Sequence, residues 1–260
     1  MYLMKRCLKR LMARKELPSV EWIGDYSDWS TASVLCQGYD SDEIAATVIK
    51  AVRDVHHGKA FYARDGVAFF RKDFNWQLIT FVERVAFATG KSINVLDFGG
   101  AFGDAYLQNR EMIEKFVSSW TVVEQVSFIN QANTLPCVPK LSFQDAIGAC
   151  QVPIDLVIVS SVLQYIADYQ KVIDGLVGLR SRGIFVDRTG FVPDDQSVNR
   201  ITKQIVRKPI YDASYPCYFF SKRNFVPLFK PYVPIVEWRT SDSANIPGQF
   251  LGMYFEAPEP

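Results

Sequence analysis

Four clusters of residues in this sequence have types and spacings that could do chemistry. The first is Val95-Leu96-Asp97-Phe98-Gly99-Gly100-Ala101-Phe102-Gly103, where an apolar run ends at an acid and three glycines follow within five residues. Glycine accepts backbone angles closed to other residues and lets a ligand approach the main chain. The free N–H groups of a helix opening at Asp104 would favour a polar or anionic ligand group. The second cluster is Glu124 alone, 21 residues beyond Gly103, where the run Trp120-Thr121-Val122-Val123 ends. An acid at that distance from a glycine-rich turn suits the hydroxyls of a ribose. The third is Ser160, Ser161, Gln164 and Tyr165, gathered where the run Leu156 to Val159 ends. Helix capping by a serine accounts for one of them but not for all four. The fourth is Asp187-Arg188, an acid and a base closing the run Gly183 to Val186.

These groups need a scaffold that brings strand ends together. Strand-like runs at 93–97, 120–124, 139–144, 154–160 and 183–188, with helical or short polar segments between them, predict a parallel sheet with helices on both faces. Such a sheet binds its ligand outside the carboxyl ends of its strands, where all four clusters sit. Apolar runs at 232–238 and 249–256, after a helix opened by Ser221, supply a final strand pair. Between Thr189 and Tyr218 lies a long polar connection with Arg200, Lys203, Arg207, Lys208, Tyr211 and Tyr215, expected as a lid or binding loop. Residues 18–91 read as an N-terminal extension packed on the sheet domain of 92–260. It holds an irregular aromatic stretch from Trp22 to Tyr39, a helix capped by Asp40 or Ser41 that ends at His56-His57-Gly58, a hairpin turning at Asp65-Gly66, and a helix from near Asn75 to Gly90. The paired histidines suit a helix C-terminus better than a metal site.

Composition bounds the rest. The chain has 260 residues, 48% apolar and 22% charged, enough for a substantial core and against global disorder. A net charge of +1 gives no reason to expect a nucleic-acid partner, but the first 16 residues carry about +5 and the remainder about −4. Residues 1–17 place Leu3, Met4, Cys7, Leu8, Leu11 and Met12 at helical spacing opposite the cations. Such a helix either caps the domain in solvent or rests weakly on an anionic membrane surface. Five scattered cysteines without a C-x-x-C pair argue against a disulfide framework or zinc site, and no His and carboxylate cluster calls for another metal. With neither a membrane-length apolar run nor a secretory signal, the expected location is the cytoplasm, with the inner membrane face as a peripheral site.

The glycine-rich turn decides between nucleotides. The dinucleotide pattern G-x-G-x-x-G fails, because Ala101 and Asp104 hold its second and third glycine positions. What stands instead, D-x-G-x-A-x-G, resembles the first motif of the class I S-adenosylmethionine-dependent methyltransferases, with Ala101 as a departure of one methyl group. Ser160 to Ile166 resembles their fourth motif. A narrower resemblance, carried by Trp22-Ile23-Gly24-Asp25-Tyr26, Gly38-Tyr39-Asp40, Ser160 to Ile166 and Tyr215-Pro216-Cys217-Tyr218-Phe219-Phe220-Ser221, is to a bacterial family of methyltransferases associated with surface-polysaccharide or lipopolysaccharide biosynthesis.

The resemblance implies a Rossmann-like α/β fold with a mostly parallel seven-stranded sheet, S-adenosylmethionine as cofactor, and a glycan or related small molecule as acceptor. It implies that Asp97, Gly99, Gly100, Ala101, Gly103 and Glu124 hold the cofactor, with Ser160, Ser161 and Gln164 beside its methionine half. Asp145 is implied at the adenine, or else it caps a short helix. Asp187 and Tyr165 are the candidate catalytic residues, Arg188 and Tyr215 the candidate acceptor contacts. Two other readings stay open at this point: a binding or scaffold protein that kept the pocket without chemistry, and a dinucleotide-dependent oxidoreductase. The oligomeric state is not legible.

Overall fold

A computed structural model describes residues 19–38, 41–150, 152–208 and 210–258. The expected basic helix of residues 1–17 lies outside the described residues, as do Tyr39 and Asp40. In chain order the described strands are β1 (Val20–Tyr26), β2 (Tyr62–Arg64), β3 (Val67–Phe69), β4 (Ile93–Phe98), β5 (Val117–Val123), β6 (Leu141–Gln144), β7 (Leu156–Ser160), β8 (Gly183–Phe191), β9 (Arg200–Val206), β10 (Ala213–Phe219), β11 (Val233–Arg239) and β12 (Gln249–Glu256). The helices are α1 (Trp29–Val34), α2 (Ser41–His56), α3 (Trp76–Thr89), α4 (Asp104–Ile113), α5 (Val126–Ala132), α6 (Tyr169–Gly178) and α7 (Lys222–Phe225). No helix among the described residues is long and apolar enough to cross a membrane.

Seven strands form the main sheet in the order β11-β12-β8-β7-β4-β5-β6. The pairs β4 with β5, β4 with β7, β5 with β6 and β7 with β8 are parallel, and β12 runs antiparallel to both β8 and β11. The strand order reverses between β4 and β7, so the ends of these two strands open a crevice there. Strands β4 and β7 are apolar on both faces because both are covered. Val95, Leu156 and Ile158 pack with α3 and Trp120 on one side, while Leu96, Val157 and Val159 pack with α6 and Phe229 on the other. The sequence of α3 explains its own limits. The Asn75 side chain accepts the N–H of Leu78 at the start, and Gly90 closes the helix at φ +65°. Its buried face, Leu78, Phe81, Val82 and Val85, recurs at helical spacing, and Phe81 stacks on Tyr254 of β12 at 4.0 Å.

Two expectations change. The stretch read as irregular aromatic text contains β1 and α1, and the connection read as a lid is the end of β8 followed by two strands. β1, β9 and β10 form a second, antiparallel sheet. The cations of that connection serve the sheet itself: Arg207 pairs with Glu21 at 2.7 Å, Arg200 with Asp25 at 3.6 Å, and Lys203 donates to the Leu35 carbonyl. They pin β1 and α1 to β9 across about 180 residues of sequence, instead of reaching for a ligand.

Candidate active site

The crevice at the strand ends opens into a cavity of about 1040 Å³. The main sheet supplies its floor through Asp97, Glu124 and Ser160, each at or just past the end of a parallel strand, and through Asp187 in the middle of β8, where its parallel pairing with β7 stops. The second sheet supplies a wall through Val20, Trp22, Gln204, Val206 and Tyr215, and α2 and the β2–β3 hairpin close the top with Val48, Arg64 and Asp65.

The glycine-rich turn is built around Asp97. Its carboxylate is buried and accepts the Trp120 indole N–H at 3.1 Å, and it lies so close under Gly100 that a Cβ there would stand 2.4 Å from Oδ2. Gly99 takes φ +70°, and a Cβ on it would stand 2.4 Å from Val162. The missing side chains at Gly99 and Gly100 therefore make room first for the protein's own Val162 and Asp97, where the sequence suggested room for a ligand. Ala101 sits at φ +50°, an uncommon angle for a residue with a Cβ, and its N–H is held by the Glu124 carboxylate. Gly99→Ala is expected to destabilise the fold by about 1–3 kcal/mol through backbone strain and displacement of Val162. Urea unfolding would check this, and an unchanged midpoint would contradict the geometry.

Acidity accumulates around this turn. Burial pushes the Asp97 carboxyl up to about 7. Asp104, the first residue of α4, is raised well above the carboxylate range by burial and by Asp65, Asp97 and Glu124 nearby, and its Oδ1 is buried without a hydrogen-bond partner. Glu124 is raised by burial, against the N–H groups of Gln125 and Ala101 that hold it ionised. Three carboxyl groups thus face one space, each disfavoured by burial as an anion, and one of them has an orphaned oxygen. Such a space stabilises a ligand bearing positive charge.

Asp187 and Arg188 both reach the cavity, with different surroundings. Asp187 is buried and raised by that burial, although it accepts the Asn75 side-chain N–H at 2.9 Å and the Trp238 indole N–H at 3.1 Å. Arg188 is not free for an acceptor: it pairs with Asp65 of the hairpin turn at 2.7 Å and with Asp242 at 3.0 Å, joining two loops over the cavity. Burial disfavours its charge, but those two carboxylates hold its pKa well above the usual value. Tyr165 lines the cavity edge-on to Tyr215, ring centres 5.3 Å apart, and the Tyr211 and Tyr215 hydroxyls are 3.2 Å apart. Burial raises the phenol pKa of both Tyr165 and Tyr215, so they serve as neutral donors near pH 7.

Of the residues singled out in the sequence, Asp97, Gly99, Gly100, Ala101, Glu124, Asp145, Ser160, Ser161, Tyr165, Asp187, Arg188 and Tyr215 line the one cavity. Gly103 and Gln164 do not. Gly103 precedes α4 at φ +82°, and Gln164 is buried beneath the loop with its amide donating to the Arg188 carbonyl at 3.1 Å. His56 and His57 lie away from the cavity. No metal-holding group of His, Cys, Asp and Glu occurs among the described residues. Sequence reading missed Asp104, Gln204, Asn75, Trp238 and Asp242. Asp104 reads as an ordinary first-turn acid, and nothing local marks the others.

No protein-family model and no curated protein sequence matches this chain. Among solved structures it is similar to the N-terminal domain of EvdMO1 in the presence of SAH and D-fucose (10% identity over 85% of this chain and 98% of that chain, TM-score 0.49). It is also similar to the N-methyltransferase NodS from Bradyrhizobium japonicum WM9 in complex with S-adenosylhomocysteine (16% identity, 82% and 99% covered, TM-score 0.46). A third is the 1,6-didemethyltoxoflavin-N1-methyltransferase of Burkholderia thailandensis with 1,6-didemethyltoxoflavin and S-adenosylhomocysteine bound (12% identity, 85% and 92% covered, TM-score 0.44). Likenesses this distant say nothing of this chain's ligand or reaction, and its fold stands on its own strand order.

Proposed function

We propose that this chain is an S-adenosylmethionine-dependent methyltransferase acting on a hydroxyl of a glycan or related small molecule. The observation that carries the reading is the acidic cradle at the strand switch point: Asp97 under the glycine turn, Glu124 at the tip of the next strand joined to it through the Ala101 N–H, and the unpartnered oxygen of Asp104. The cofactor supplies a methyl group on a sulfonium, already activated for displacement. A ligand with a sulfonium, an ammonium and ribose hydroxyls matches this donor-poor, acceptor-rich space. A dinucleotide does not, since its pyrophosphate would meet Asp104 where the helix N-terminus should receive it.

In this reading Glu124 accepts the ribose hydroxyls, Asp145 borders the base, and Ser160 and Ser161 line the methionine end. The protein's remaining work is alignment, exclusion of water and acceptance of a proton. Tyr165 borders the transferred group as a neutral phenol, and Asp187 receives the acceptor proton. Glu124→Gln is expected to weaken S-adenosylhomocysteine about 10- to 100-fold, by loss of charge-assisted hydrogen bonds, with the fold intact. Calorimetry on the two proteins reads this directly. Incubation with methyl-labelled cofactor and a panel of glycan precursors tests the reaction: transfer of label supports it, and binding without transfer to any acceptor points to a scaffold.

A further inference from the structure

The inner face of the second sheet has a job of its own. Trp22, Gln204 and Tyr215 lie side by side across β1, β9 and β10, in register, and all three line the cavity. Trp22 is fixed between Phe219 and Phe250, ring centres 5.9 and 5.5 Å away, so this wall is rigid. Gln204 is 5% exposed, and its Oε1 is buried without a hydrogen-bond partner. A buried amide oxygen left unpaired beside a cavity is an acceptor that a ligand's O–H or N–H satisfies. The charges around it narrow the ligand further. Eight acidic side chains and three arginines line the cavity among the described residues. Of the arginines, Arg188 is spent on Asp65 and Asp242, Arg64 lies over the Tyr62 and Phe69 rings, and Arg239 is exposed.

We infer that the row Trp22–Gln204–Tyr215 is the acceptor-binding wall, and that it selects an uncharged acceptor whose O–H or N–H group donates to Gln204 Oε1, against phosphorylated or carboxylated acceptors. This rests on the methyltransferase reading. The wall recognises a neutral polar body by one amide and two aromatic sides, while the cavity's excess of carboxylates repels an anion.

The test uses the full-length protein, methyl-labelled S-adenosylmethionine and a fractionated small-molecule extract, with labelled products separated on an anion-exchange column. The expected result is a labelled product that passes the column uncharged, with labelling reduced at least about 10-fold in Gln204→Leu. S-adenosylhomocysteine affinity should stay at the wild-type value in that variant and its melting temperature should not fall, since leucine removes an unpartnered buried polar atom; this separates an acceptor role from a folding defect. A labelled product retained as an anion, or Gln204→Leu labelling at the wild-type rate, overturns the inference and leaves methyl transfer standing. No label in any fraction, from protein that binds S-adenosylhomocysteine, overturns the methyltransferase reading and the inference with it.

Discussion

Replacing Asp187 by asparagine is expected to lower kcat by about 10²- to 10⁴-fold, the range for loss of a positioned proton acceptor, with little change in cofactor affinity. Asparagine has nearly the same volume and keeps an oxygen for the Trp238 indole, but its amide N–H then faces the Asn75 amide, so melting temperature is read beside kcat to separate chemistry from the lost Asn75 hydrogen bond. The pH profile carries the sharper signature. Burial raises the Asp187 carboxyl above its ordinary range, and a base works only when deprotonated. Wild-type kcat should therefore fall with acidification through a pKa above that of a free aspartate, about 4. The residual activity of the variant should lack that limb. A variant retaining wild-type turnover, or the same acid limb in both proteins, would remove Asp187 from the mechanism and leave it as a tie between Asn75 and Trp238.

The second large effect is on stability. Asp97 is buried, and its carboxyl is pushed from 3.8 to about 7 in the folded protein. The folded state thus holds this proton more tightly than the unfolded state does. The stabilisation this provides is complete below about pH 4 and is lost as pH rises toward 7. Above that, the protein keeps a buried carboxylate whose hydrogen bond from Trp120 does not offset its desolvation, at a net penalty. Asp97→Asn removes the ionisation and can still accept the Trp120 N–H. The variant should be more stable than wild type at pH 8 by an amount on the order of 2–4 kcal/mol, with the difference shrinking toward pH 4. It should also bind S-adenosylmethionine less tightly, losing more affinity for the sulfonium than for S-adenosylhomocysteine. Denaturant unfolding at the two pH values checks the first part. Equal stability gaps at pH 4 and pH 8 would contradict it.

Much of this architecture was legible because it is local. The five parallel strands announce themselves as apolar runs, α3 carries Asn75 and Gly90 at its ends, and the hairpin is fixed by Asp65 and Gly66 at φ +51° and +78°. The side of the cavity lined by the main sheet was legible for the same reason, since Asp97, Glu124 and Ser160 follow directly from strand ends. The second sheet was not. β1 pairs with a strand about 180 residues away and contains Gly24 and Asp25, both poor in strands. β9 buries Thr202 and Gln204 and leaves Ile205 partly exposed, against the usual pattern: Gln204 lines the cavity and the Thr202 hydroxyl donates to the Cys217 carbonyl. β10 carries Pro216, tolerated because that strand lies at the sheet edge. The cavity wall formed by the second sheet was thus hidden by the features that suit it to its place. The partners of Arg188 were hidden differently: Asp65 and Asp242 come from loops 123 and 54 residues away, a meeting that only the fold creates.

The proposed reaction depends on the ligand that the acidic cradle binds. Isothermal titration of the purified protein with S-adenosylmethionine, S-adenosylhomocysteine and a nicotinamide dinucleotide decides it most directly. The account predicts one saturable site for each adenosyl ligand, weakened in Glu124→Gln, and no heat from the dinucleotide. Saturable binding of the dinucleotide with none of either adenosyl ligand would contradict it.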